Sequence, residues 1–169
     1  MTTFDLRRVK LRPGEEYRDE HEIALSPFEL GGQRYLPVPE NVSAELVITR
    51  GTSGTTFDLR FPARLHGPCY RCLKDAVLDL SIHAREYQAT SPGEADELTT
   101  PYVVDNHLRL SDWARDAIAG DLPQQILCRP DCAGLCPMCG EDLNENPHEH
   151  DDEWTDPRWA ALEELKERL

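Results

Sequence analysis

Eight side chains suited to soft divalent metals fall in two short stretches of this sequence. One is Cys69-Tyr70-Arg71-Cys72. The other runs from Cys128 to His150 and carries Cys128, Cys132, Cys136, Cys139, His148 and His150. Every cysteine of the chain lies in one of these two places. A Cys-x-x-Cys turn lets two thiolates converge on one tetrahedral ion, each sulfur about 2.3 Å from it. Cys136-Pro137-Met138-Cys139-Gly140 is the stronger form of that turn. Proline stiffens it, and Gly140 can take positive φ after the second ligand. Cys69 to Cys72, followed by Leu73, lacks the glycine and is the weaker form.

Two partitions of the eight ligands are open. In the favoured one, Cys69, Cys72, Cys128 and Cys132 form one site, and Cys136, Cys139, His148 and His150 form another, for two Zn(2+) per chain. Glu149, Asp151 and Asp152 would then orient the imidazoles. In the other, Cys69, Cys72, Cys136 and Cys139 make a single ribbon-like site, and Cys128, Cys132 and a solvated His-x-His stay free. Either arrangement is closed, with four protein ligands and no position for a reacting water. The expected role is structural and no enzymatic activity is expected. Reduced buried thiols and redox chemistry are the alternatives, but no βαβ unit surrounds either Cys-x-x-Cys.

The elements that must position these residues can be read from hydrophobic period. Residues 43–50, 56–66 and 76–87 alternate apolar and polar side chains, as strands with one wet face do. Gly51-Thr52-Ser53-Gly54 is a hairpin turn, and Cys69–Cys72 is the tip of the hairpin joining the last two strands. Pro62 predicts an edge or a bulge. Residues 4–12 alternate with a phase slip at Arg7-Arg8, which predicts a bulged strand. Residues 15–25 predict an exposed strand, and 26–41 an extended crossing. An acidic loop follows at 90–108, in which Tyr102, Val103 and Val104 add a short strand. Ser111 predicts a helix N-cap, with Trp113, Ala114, Ala117 and Ile118 inward and a stop near Gly120. Asp156-Pro157 opens a second helix whose apolar face is Trp159, Leu162, Leu165 and Leu169. Trp113, Trp154 and Trp159 are candidates for an aromatic contact surface, with helix packing the favoured reading for Trp113 and Trp159. There is no visible internal repeat.

The fold class that follows is α+β: an antiparallel, partly barrel-like β-sheet over residues 1–105, then a helical, zinc-binding segment over 106–169 packed on it as one structural unit. With a net charge of −14, the chain offers no broad phosphate-binding surface. A local basic face is the exception: Arg60, Arg64, His66, Arg71 and Lys74, extended by Arg7, Arg8, Lys10 and Arg12. It would meet RNA or another partner, or else be a solvated face paired with the abundant carboxylates. No run of roughly 18 apolar residues suggests a membrane span. Residues 1–8 lack a secretory apolar region, and no motif suggests a small-molecule substrate. A cytoplasmic location is expected, where clustered cysteines favour metal over disulfides.

Three motifs carry a resemblance: Cys69–Leu73, the run Asp131–Asn144 (Asp-Cys-x-Gly-Leu-Cys-Pro-x-Cys-Gly-x-x-Leu-Asn), and Asp156–Arg158 before an amphipathic helix. In this order they resemble the YceD family of large ribosomal RNA subunit accumulation proteins, from about Leu36 to the end of the chain. The family commonly closes its cluster with Cys-x-Cys, where this sequence has His148-Glu149-His150. Some members lack the distal cluster but keep the first turn and the pair matching Cys128 and Cys132, which favours two sites. The resemblance implies a non-enzymatic factor for accumulation of large-subunit (23S) ribosomal RNA and for ribosome biogenesis. Its partner would be pre-ribosomal large-subunit RNA or a basic ribosomal protein. The alternative is a zinc-stabilised protein–protein interaction module that binds a basic partner and has no ribosomal role.

Overall fold

The computed structural model describes residues 2–90 and 98–150. In chain order it contains β1 (Thr3–Asp5), a 3-10 turn (Leu6–Arg8), β2 (Glu16–Ala24), β3 (Phe28–Leu30), β4 (Gln33–Pro37), β5 (Asn41–Arg50), β6 (Gly54–Pro68), β7 (Asp75–Ala89), β8 (Val103–Val104), β9 (His107–Arg109) and α1 (Leu110–Asp121). All strand pairs are antiparallel. β1, β9 and β8 form a small sheet in that order, and the remaining strands form the large one.

β6 is the spine of the large sheet. β5 pairs with its first half, from Arg50↔Thr55 to Glu45↔Arg60, and β4 with its far end at Leu36↔His66 and Pro37↔Leu65. β7 follows its other edge from Gly54↔Ala89 to Pro68↔Asp75, one residue for one. β2 extends the sheet from β5. Among the described residues no pair joins β2 to β7, so the sheet is open and the barrel-like expectation reduces to an open antiparallel sheet with one helix. α1 packs against both β7 and β2.

The strand alternation sorts as its period requires. Phe57, Leu59, Phe61, Ala63 and Leu65 of β6 are buried, as are Val42, Ala44, Leu46 and Ile48 of β5. From α1, Leu110, Trp113, Ala114 and Ile118 are buried in the same core. Burying one such large side chain stabilises the fold by about 1.5–3 kcal/mol. Cys69, Cys72 and Cys132 belong to this apolar cluster, so the first candidate site is continuous with the core.

Four local expectations are corrected. The phase slip at Arg7-Arg8 is a 3-10 turn rather than a bulge. Asp5 caps it, its carboxylate accepting from the Arg7 amide at 3.0 Å. Pro62 lies on the central strand with no bulge. Arg64 turns its carbonyl to Val38 N at 2.9 Å, and alternate residues face the same edge, so Pro62 faces the gap between the β5 and β4 ladders where no donor is required. Residues 26–41 hold a hairpin, β3–β4, turning at Gly31-Gly32 with φ 58 and 77. Ser111 is not the cap of α1, whose N-cap is Arg109 with no side-chain cap bond. The Ser111 hydroxyl instead accepts from Thr2 N at 2.8 Å and ties the chain's start to the helix. The second helix, with Asp156, Trp159, Leu162, Leu165 and Leu169, lies outside the described residues, as does Trp154.

Candidate metal centres

The β6–β7 hairpin ends in a turn that presents both its cysteines to one point. Cys69 N donates to Lys74 O at 2.7 Å and Leu73 N donates to Cys69 O at 3.0 Å. Sixty-odd residues later the chain builds the same turn again. Cys136 N donates to Glu141 O at 2.7 Å and Gly140 N to Cys136 O at 2.9 Å. Leu73 takes positive φ, 60, where Gly140 has 78. The first turn, expected to be the weaker form for want of a glycine, therefore reaches the same geometry as the second. Leucine adopts the glycine conformation because the two hydrogen bonds and the flanking strands impose it.

The first turn does not pair with the second. Tyr70 N donates to Ile126 O at 2.8 Å, which lays residues 126–128 against the hairpin tip. Cys128 and Cys132 then face Cys69 and Cys72. The Cys69–Cys132 sulfurs are 3.8 Å apart and the Cys72–Cys128 sulfurs 3.6 Å. Metal–sulfur bonds of about 2.3 Å at tetrahedral angles place sulfurs ~3.8 Å apart. A disulfide would need about 2.05 Å, and all six cysteines are free thiols. Cys69, Cys72 and Cys132 are buried while Cys128 is exposed.

Cys136, Cys139, His148 and His150 form the second group. In each group the ligand atoms lie within 4.8 Å of one another. Cys139 Sγ and His148 Nε2 are 3.1 Å apart, as are His148 Nε2 and His150 Nε2. These distances are somewhat tighter than the edges of ~3.3–3.6 Å expected around zinc. His148 Nδ1 lies 2.8 Å from Asn146 O, which fixes the proton on that nitrogen and leaves the Nε2 lone pair facing the cysteines. Glu141 stands 3.8 Å from the same ring. Backbone Asn146 and Glu141 thus take the orienting role expected of Glu149; Asp151 and Asp152 lie outside the described residues. This group sits at the surface, with Cys139 and His150 exposed and only Cys136 buried.

Both groups gather more negative charge than they can hold alone. Burial pushes the Cys69 thiol up, but the backbone amides of Cys72, Cys128 and Arg71 outweigh it and hold the thiol at about 6. Amides of Cys139 and Met138 do the same for Cys136, also at about 6. The Cys128 thiol is pushed up to about 12 by desolvation of its sulfur and by Cys72, Cys132 and Cys69 around it. One thiolate per group is favoured and its charge opposes the next. A dication removes that opposition and lets all ligands bind deprotonated.

Four of the basic residues expected to meet RNA, Arg60, Arg64, Arg71 and Lys74, have internal partners. Arg64 bonds Asp79 through two nitrogens, at 2.6 and 3.3 Å, and Arg60 reaches Glu45 at 3.5 Å. Arg71 Nη1 donates to Cys132 O at 2.8 Å. Lys74 bridges Asp142, at 2.6 Å, and Glu145. His66 is exposed on the wet face of β6, between Leu36 and Val77. Arg71, Lys74 and Arg129 stand around the four-cysteine group, where a tetrathiolate holding a dication would carry roughly two negative charges. Asn144, not singled out beyond its place in the Asp131–Asn144 motif, touches Cys132 Sγ at 3.5 Å.

The family model described as "Large ribosomal RNA subunit accumulation protein YceD" matches residues 57–166. This span takes in both cysteine groups. An uncharacterized protein of Mycobacterium tuberculosis is 32% identical over 170 residues, covering 96% of this chain and 80% of its own length. One of Mycobacterium leprae is 30% identical over 181 residues, covering 96% and 76%. One of Bacillus subtilis is 28% identical over 114 residues, covering 65% of each. No solved structure matches.

Proposed function

The chain belongs to the YceD family of large ribosomal RNA subunit accumulation proteins, and from that premise we propose that it is a non-enzymatic factor in large-subunit RNA accumulation, built around two structural zinc ions. Two four-ligand groups of sulfur and imidazole support zinc. The donor set fits it: four ligands converge in each group, and the first group is walled by the core. The first ion would lock the β6–β7 hairpin to residues 126–132, and the second would close 136–150 on itself. No helix among the described residues is long and apolar enough to cross a membrane, and we place the protein in the cytoplasm with the ribosome-assembly machinery.

One observation orders the partners. Arg60, Arg64 and Lys74 are each paired with carboxylates, so these three have little charge left for phosphates. With a net charge of −14, the first contact is a basic ribosomal protein, and pre-ribosomal RNA is reached through it. Depleting the protein and sedimenting ribosomal particles tests the reading, with large subunits and their RNA expected to fall. Normal levels of both would leave a zinc-stabilised interaction module without a ribosomal role. Capture under native conditions, with and without ribonuclease, separates the partners: a basic protein retained after ribonuclease is the expected result.

A further inference from the structure

We propose that the two metal sites are coupled and that Asn144 is the residue that couples them. The inference rests on the two-site zinc reading. Asn144 lies in the loop between Cys139 and His148, which closes the second site, yet its side chain serves the first. Its Oδ1 accepts from Ala133 N at 2.8 Å and from Arg129 Nη2 at 2.6 Å. Both partners are obligate donors, so the amide's orientation is fixed. Its Nδ2 therefore faces acceptors, donating to Cys132 Sγ at 3.5 Å and to Asp142 Oδ1 at 2.6 Å. All four hydrogen-bonding positions of the side chain are filled.

The surroundings make this one mechanical unit. Leu143 N donates to Gly134 O at 2.9 Å and Leu135 N donates to Arg71 O at 3.2 Å. A Cβ at Gly134 would lie 3.2 Å from the Arg71 backbone, so the segment between the two cysteine pairs is pressed against the first turn. Lys74, two residues after Cys72, holds Asp142 and Glu145 of the second loop. Closing the 136–150 loop on an ion sets Asn144 in place. That supplies a donor to a sulfur of the four-cysteine site, where negative charge concentrates when metal binds. Loading the second site raises the affinity of the first, and by linkage the reverse holds by the same factor.

The test uses the full chain, stripped of metal by chelator under reducing conditions and titrated with cobalt(II), whose absorption separates tetrathiolate from mixed sulfur–nitrogen coordination. Zinc competition then gives the affinities. Asn144→Asp keeps the acceptor toward Ala133 and Arg129 but removes both donors, and Asn144→Ala removes the side chain without adding charge. Each is expected to weaken the tetrathiolate site about tenfold or more and to shift its sulfur-to-cobalt charge-transfer band, which a loss of folding stability alone would not do. A Cys136→Ser, Cys139→Ser double variant, which cannot load the second site, is expected to weaken the first about tenfold as well. Two ions bound by the wild-type chain, with the affinity of the first site and its band unmoved in all three variants, would overturn the coupling and leave the zinc reading standing. Absence of any tetrahedral cobalt spectrum in the wild-type chain would overturn both.

Discussion

Leu73 and Gly140 occupy the same step of two turns far apart in the chain. Each follows the second cysteine of a Cys-x-x-Cys pair, with φ of 60 and 78. Each amide donates back to the carbonyl of the first cysteine, at 3.0 and 2.9 Å. The glycine accepts this conformation freely and the leucine does not. A left-handed backbone brings Cβ against the following carbonyl at a cost of about 1–2 kcal/mol. Leu73 is 55% exposed, so little burial offsets that strain.

Leu73→Gly should therefore stabilise the metal-loaded protein by about 0.5–1 kcal/mol. The relief of strain exceeds the larger unfolded-state entropy of glycine. Leu73→Val, with a branched Cβ at the same φ, should destabilise by a similar amount. Urea denaturation of the loaded proteins measures both. Equal stability of the glycine and valine variants would show that the backbone here is unstrained.

Much of the sheet is legible in the sequence because its alternation is long. Residues 56–66 alternate apolar and polar side chains, and β6 buries the apolar set Phe57, Leu59, Phe61, Ala63 and Leu65, with Asp58 buried beside them. What the period cannot show is which carboxylate faces which cation. Arg64 meets Asp79 only because the β6–β7 register places them opposite, and so part of a basic face becomes a set of ion pairs. The ligand partition likewise depends on a tertiary contact, Tyr70 N to Ile126 O, with no local signature. Ser111 carries a genuine capping signal, but Thr2, more than a hundred residues away, competes for the same hydroxyl. At Arg7-Arg8 a bulge and a 3-10 turn shift the alternation alike, so the pattern alone could not separate them.

Metal removal should act unequally on the two halves of the cysteine-rich segment. Cys69 is fully buried and its site is part of the core, whereas Cys139 is exposed at the surface. Cys69→Ser should lower zinc content by about one ion and destabilise the chain by more than about 4 kcal/mol, through loss of a core-walled metal site. Cys139→Ser should also lose about one ion but leave near-UV circular dichroism largely intact. Elemental analysis and thermal melting check both. An unchanged melting temperature after chelator treatment of the wild type would remove zinc from the account of stability.

Acid should expose the contribution of Asp58. Burial pushes its carboxyl up, but hydrogen bonds from Arg85, at 2.8 Å, and His83, at 3.3 Å, prevail, and the net direction is down. A folded-state value below the unfolded value of about 3.9 means the contribution is present above about pH 4. It is lost as pH falls through the lower, folded-state value. Asp58→Asn should cost about 1–3 kcal/mol near neutral pH, as for a hydrogen bond to a charged group. The gap between wild type and variant should close below about pH 4. Comparing the two proteins at each pH cancels the separate acid sensitivity of the metal sites. A gap that stayed constant through that window would assign the effect to shape rather than charge.

Gly67 should be intolerant of any side chain, although it lies in a regular strand. A Cβ there would press into the ring of Tyr35 and stand 2.9 Å from Arg34 O. Tyr35 cannot move aside. It is 1% exposed, and its hydroxyl donates to Pro68 O at 2.9 Å, immediately before the first metal turn. Overpacking of this kind costs about 1–3 kcal/mol, so Gly67→Ala should fall in that range. Tyr35→Phe, which keeps the packing and loses the hydrogen bond, should cost about 1 kcal/mol. Because the ring, Gly67 and Pro68 together set the approach to Cys69, Gly67→Ala should also speed zinc release to a chelator, while Tyr35→Phe should do so less. Denaturation midpoints and chelator-transfer rates test the pair. A Gly67→Ala protein with wild-type stability and release would show that β4 can shift away from β6 without disturbing the hairpin tip.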